Sequence, residues 1–127
     1  MKKIVIDSSA ILALLNKEKG AEIVEKKLDG AIISSVNFSE VLVVAARNGL
    51  DQEKLAALLK NIFPNIVDFD FKQAAIAASL DKITKKHGLS FGDRACLALA
   101  KQENCAVLTA DKAWKKLDVG VVVEVIR

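Results

Sequence analysis

The apolar residues of this chain follow two alternating rhythms. Short β-branched runs at Lys3 to Ile6, Ala31 to Ser34, Asn65 to Phe69, Ala106 to Thr109 and Val121 to Ile126 predict strands. Between them lie stretches of helical spacing. These are Ala10 to Lys17, Ala21 to Leu28 after Gly20, Phe38 to Arg47, a segment capped by Asp51 that runs toward Ile62, a long segment capped by Asp70, and Ser90 to Glu103. Punctuation supports the boundaries. Asn48-Gly49 stops the third helix, Pro64 closes the fourth, Gly88 ends the fifth, and Gln73 stands at capping-box spacing from Asp70.

Strands separated by helices imply right-handed crossovers and a parallel sheet with helices on both faces, an α/β architecture. The strands are apolar throughout, as burial on both sides requires. No internal repeat is visible, and 127 residues suit a single domain spanning 1–127. The Phe38 helix carries Val41, Leu42, Val43, Val44, Ala45 and Ala46 in succession. A helix apolar nearly all round needs a second covering surface, either a homodimer partner or the adjacent Leu55–Leu59 helix.

Composition narrows the class. With 52% hydrophobic residues and one proline, the chain is globular rather than disordered. The two cysteines, Cys96 and Cys105, have no metal-ligand spacing and predict buried thiols of a reduced, cytoplasmic protein. The single histidine, His87, cannot anchor a histidine-based zinc site and suits a helix end. Asp7 interrupts the apolar run after Met1-Lys2-Lys3 too early for an export signal, and no stretch is long enough to span a membrane. The net charge of +3 permits an anionic partner. Lys82, Lys85 and Lys86 form the densest basic run, either a solvated helix end or a phosphate contact. Trp114 reads as core packing rather than a stacking platform.

Candidate chemistry lies at the strand-to-helix transitions, because ligands of open parallel sheets bind beyond the carboxyl ends of the strands. Asp7 follows the first strand, Glu40 lies in the turn after the second, Asp93 opens the helix before the fourth, and Asp111 follows the fourth. Each has a structural alternative. Asp7 and Asp111 can cap short helices, while Glu40 after Asn37 and Asp93 after Ser90 match capping boxes. Asp93, however, shares a helical stripe with Cys96, Leu97 and Ala100, which should face the sheet. If the first and fourth strands are neighbours, several of these carboxylates converge within a few ångström and repel one another. A divalent cation relieves that repulsion, and an all-oxygen donor set selects Mg²⁺ or Mn²⁺ over zinc or copper. Such a centre serves phosphate-ester hydrolysis without a histidine.

The ordered motifs resemble those of PIN-domain proteins, particularly VapC-type toxins of toxin–antitoxin pairs. I-V-I-D-S-S-A-I-L-A-L-L is similar to the family's opening, S-S-V-N-F-S-E-V to its second motif, G-L-S-F-G-D-R-A-C-L-A-L-A to its third and V-L-T-A-D-K-A-W to its fourth. The resemblance implies a three-layer α/β/α sandwich around a five-stranded parallel sheet of order 3-2-1-4-5. It implies an Mg²⁺- or Mn²⁺-dependent endoribonuclease with Asp7, Glu40, Asp93 and Asp111 as metal-binding and catalytic residues, Ser9 and Thr109 in support, an RNA substrate and a cognate antitoxin. Two rivals stand beside it. A non-catalytic RNA- or protein-binding module of the same fold is one. A phospho-receiver is the other, but Asp7 is followed by Ser8 and Ser9 rather than a second acid.

Overall fold

β1 (Ile4–Ile6), β2 (Ala31–Ser34) and β4 (Ala106–Thr109) are buried at every position, which explains why they show no polar alternation. The computed structural model describes residues 2–127. It places these strands in a parallel five-stranded sheet of order β3-β2-β1-β4-β5, with β3 (Ile66–Val67) and β5 (Val123–Val125) at the edges. This is the α/β class and strand order expected above.

Alternate residues of each central strand feed two separate cores. Ile4, Ile6, Ala31, Ile33, Ala106 and Leu108 face one layer, built from α1 (Ser8–Leu15), α2 (Ala21–Lys26), α3 (Ser35–Arg47) and α4 (Gln52–Ile62). Val5, Ile32 and Val107 face the other, built chiefly from α7 (Phe91–Glu103) with α5 (Phe71–Ser79) and α6 (Asp81–Lys85). The result is the expected three-layer sandwich. Each fully buried Val, Leu or Ile contributes roughly 1.5–3 kcal/mol. Cys96 is buried, Cys105 partly so, and both are free thiols. Trp114 packs in the second core at 1% exposure.

Several boundaries differ from the sequence pattern. The long helix after Asp70 is two helices, because the Ser79 hydroxyl donates to the Ile76 carbonyl (2.6 Å) and Leu80 N–H turns to Ala77 O. α1 starts at Ser8 rather than Ala10, since Asp7 itself caps it. α3 begins at Ser35 rather than Phe38, capped by Ser34, whose Oγ accepts from Val36 N (3.2 Å). β3 and β5 are shorter than their apolar runs. α4 covers part of α3, with Leu55 and Leu59 in the same core as Val41 and Ala45, while Val43 stays 39% exposed.

Candidate active site at the carboxyl end of the sheet

β1 delivers Asp7 to the rim. Its backbone N–H donates to Leu108 O (3.1 Å), extending the β1–β4 ladder to the end of the sheet. The Asp7 carboxylate is 3% exposed. Oδ1 accepts from Ala10 N (3.0 Å) and Ser9 Oγ (2.7 Å), and Oδ2 accepts from Thr109 Oγ1 (2.9 Å). These bonds favour the charged form, yet burial outweighs them and raises the pKa to about 6, with the charge of Asp93 adding to the rise. Thr109 Oγ1 also accepts from Asp111 N (3.0 Å), and Ser9 Oγ accepts from Ala110 N (2.9 Å). Both hydroxyls therefore stitch the end of β1 to the loop after β4.

Glu40 enters from α3. Its Oε1 accepts from Ser8 Oγ (2.6 Å) and Asn37 Nδ2 (2.8 Å). Asn37 is 1% exposed, and its Nδ2 also donates to Gly92 O (3.1 Å). One amide thus fixes Glu40 and fastens the first turn of α7 to α3. A side chain at Gly92 would collide with the Glu40 carboxylate, so glycine there leaves room for Glu40 in this orientation. The capping-box reading of Asn37 and Glu40 is corrected. α3 starts at Ser35, so Asn37 lies inside the helix and bonds Glu40 side chain to side chain.

Asp93 does form a capping box. Its N–H donates to Ser90 Oγ (3.3 Å) and its Oδ2 accepts from Ser90 N (2.9 Å). It is half-buried, and burial, then the charges of Glu40 and Asp111, raise its pKa. Asp111 is exposed and caps the 3₁₀ turn Lys112–Lys116 through Ala113 N (3.0 Å). Capping and clustering coexist here, because each of the two aspartates uses one oxygen for its own turn.

The four acids thus lie toward one rim, where the charge of Asp93 acts on Asp7 and the charges of Glu40 and Asp111 act on Asp93. No ion pair among the described residues includes any of them. The expected convergence of several carboxylates on one point is not met among the described residues. As oriented here, no three of the described His, Cys, Asp or Glu side chains form a grouping that closes on one ion. Glu40 Oε2, Asp93 Oδ1 and Asp111 Oδ2 nevertheless accept no hydrogen bond from described residues. Free carboxylate oxygens with no cationic side chain fit a hard divalent cation better than a soft one. Sequence reasoning missed Ser8 and the inward role of Asn37. The D-S-S run was the available signal for Ser8, whereas nothing local marks Asn37 as facing Gly92.

The family model described as PIN domain matches residues 4–120. No curated protein sequence matches the chain at a significant level. Among solved structures, the chain is similar to the DNA-bound VapBC from Salmonella typhimurium, with TM-score 0.75, 19% identity and 100% of both chains covered. It is similar to a toxin–antitoxin complex from Klebsiella pneumoniae, with TM-score 0.73, 19% identity and 98% of each chain covered. FitAcB from Neisseria gonorrhoeae aligns with TM-score 0.70 and 24% identity over 97% of each chain. Identities this low carry the fold alone.

Proposed function

This chain belongs to the PIN domain family, and from that premise we propose that it is a divalent-cation-dependent endoribonuclease, the toxin of a toxin–antitoxin pair. One observation carries the reading: four carboxylates share the carboxyl rim of the sheet without a basic side chain to pair them, and one of them is buried. Such a cluster is costly unless a cation joins it.

Asp7, Glu40, Asp93 and Asp111 are the residues that would hold Mg²⁺ or Mn²⁺. When bound, that ion supplies positive charge that acidifies water and offsets charge developing on phosphoryl oxygens. The chain's own groups do the rest. Ser9 and Thr109 fix the Asp7 carboxylate in one orientation from both of its oxygens. Ser8 and Asn37 hold Glu40 by one oxygen, and Oε2, packed beside Gly92, accepts no hydrogen bond from described residues. Asp93 anchors the start of α7 through Oδ2 and leaves Oδ1 as the oxygen available to a cation. Preset carboxylates need little rearrangement as the reaction proceeds.

The solved neighbours include toxin–antitoxin complexes, which supports a cognate antitoxin as partner. The exposed apolar strip around Val43 is where a second copy would pack as a homodimer. Two free cysteines suit a reducing cytoplasm, and no described helix is long and apolar enough to cross a membrane.

The test incubates the parent and Asp7→Asn with a pool of structured RNAs, with Mn²⁺ or with a chelator. Cleavage by the parent alone, and only with the cation, is the expected result. Equal cleavage by both proteins, or none by either on any RNA, overturns the reading in favour of a binding module.

A further inference from the structure

Asp93 is followed directly by Arg94, yet the two do not pair. Successive residues on a helix point apart, but their Cα atoms lie only about 3.8 Å from one another. A long side chain at 94 therefore starts beside the acidic rim. Lys112 stands equally close to Asp111, but it is exposed and its charge is settled by water. Arg94 has less recourse to water, because its side chain is only 20% exposed. A guanidinium does not shed its proton, so its burial must be answered by a partner. That partner is Asp81, the first residue of α6, whose Oδ1 lies 3.5 Å from Arg94 Nη1. The guanidinium also stands 6.0 Å from the centre of the Phe91 ring, which Phe69 braces edge-on at 5.5 Å. Phe91 borders two separate hollows. One is lined by Asp81 and Arg94, the other by Glu40. The ring thus stands between the arginine and Glu40.

We propose that Asp81 is a positioning residue for the acidic rim: by tethering Arg94 on the α5 side of Phe91, it keeps that guanidinium from pairing with Asp93 or Glu40 and leaves their oxygens to a divalent cation. The inference rests on the cation-dependent reading and adds to it a residue outside the cluster. Asp93 Oδ1 and Glu40 Oε2 accept no hydrogen bond from described residues, so both are open to whichever cation arrives. An arginine that begins one residue away is a competitor built into the chain. Its planar fork suits a carboxylate, and a partner on the same chain needs no association from solution. A dication would have to displace it. Asp81 removes the competitor by offering it a carboxylate on the far side of the ring. Stability does not explain the pair. The Asp81 side chain is 58% exposed, so water would satisfy it without Arg94, and pairs this open to solvent add little to folding. Its consequence is where the guanidinium is kept.

The test titrates Mn²⁺, without RNA, into the parent, Asp81→Asn, Arg94→Gln and the double variant by isothermal calorimetry. Affinity should fall about five-fold in Asp81→Asn, the weight of one partly exposed ion pair. It should stay within about two-fold of the parent in Arg94→Gln and return to that range in the double variant. Asp81→Glu, which keeps a carboxylate at the start of α6, should bind as the parent does. Melting temperatures taken with a chelator check folding, and Asp81→Ser repeats the measurement if Asp81→Asn unfolds. Unchanged affinity in Asp81→Asn overturns the tether and leaves the cation site standing. A fall that Arg94→Gln does not reverse also overturns it, since the cause would be damage to α6 rather than a freed arginine. So does a rise in Arg94→Gln alone that equals the fall in Asp81→Asn, because two fixed charges acting independently would give that additivity. If the parent binds no Mn²⁺, the cation reading and this one fall together.

Discussion

The two ends of the sheet treat carboxylates in opposite ways. Where β1 begins, Lys3 Nζ meets Glu103 Oε1 at 3.0 Å, and nearby Lys27 Nζ meets Glu124 Oε1 at 3.7 Å. Where β1 ends, Asp7, Glu40, Asp93 and Asp111 meet hydroxyls, an amide and backbone N–H groups, and no lysine or arginine. Basic residues are not scarce, since the chain has 19 against 16 acids. The difference is one of placement. At the first end, solvent-exposed charge is settled by pairing. At the second, negative charge is fixed by neutral donors, which orient a carboxylate without satisfying its charge, and that is the arrangement a cation-dependent site needs.

Removing charge from the unpaired end gives the largest expected effect. Asp7→Asn should lower cation-dependent cleavage by at least about 100-fold, since altering groups that merely support a metal ligand already costs 10–100-fold. Mg²⁺ or Mn²⁺ should raise the melting temperature of the parent, as a ligand that binds only the folded state stabilises it. Asp93→Asn should shrink that rise. A rise of equal size in Asp93→Asn, measured by differential scanning fluorimetry, would falsify the assignment of Asp93 to the cation.

The next effect is a pH dependence. The folded-state pKa of Asp7 is raised to about 6 from 3.8. Between those values the folded protein holds a proton that the unfolded chain has lost, so Asp7's contribution to stability falls as pH rises from about 4 to about 6. The fall amounts to at most about 3 kcal/mol, taking 1.36 kcal/mol per unit. Asp93, also raised, acts in the same direction. Urea unfolding between pH 4 and 7 without divalent cations should show the decline, and Asp7→Asn should remove most of it. A steeper decline in Asp7→Asn would show that Asp7 is not its source.

Much of this contrast was visible in the sequence, because it depends on strand ends. A run buried on both faces is recognisable by its lack of polar alternation, and the acid at its end is the next residue or two, as with Asp7 and Asp111. The sheet order came from the resemblance, and the expected cation from the all-oxygen donor set. What stayed hidden was tertiary. Ser34 starts α3 three residues before the apolar pattern does, which turns Asn37 from an expected cap into an interior residue aimed at Gly92. Ser79 divides a helix whose hydrophobic spacing runs straight through the break. Gly92 reads as an ordinary helix-start residue until Glu40 is seen against it.

Asn37 orients a carboxylate at the unpaired end. It holds Glu40 without bringing charge, so Asn37→Ala should weaken Mn²⁺ binding by about 10–100-fold, the range for residues that orient metal ligands. Ser8→Ala should do the same more mildly, since Asn37 still holds the same Glu40 oxygen. Asn37→Asp separates orientation from electrostatics, because it keeps the shape but places a fifth carboxylate against Glu40. Isothermal titration with Mn²⁺ at pH 7 reads all three. Unchanged affinity in Asn37→Ala would mean that Glu40 is positioned by backbone packing alone.

The smallest effect belongs to the paired end. Lys3→Gln removes the partner of Glu103, but both groups reach solvent, and water replaces the lost contact at little cost. Cleavage, Mn²⁺ affinity and the pH dependence of stability should match the parent, and the melting temperature should move by less than about 2 °C. Were Lys3→Gln to alter Mn²⁺ affinity as much as Asn37→Ala, charge at the beginning of β1 would be influencing the cluster at its end. The rim would then owe its character to the field of the whole molecule rather than to the hydroxyls and the amide that touch it.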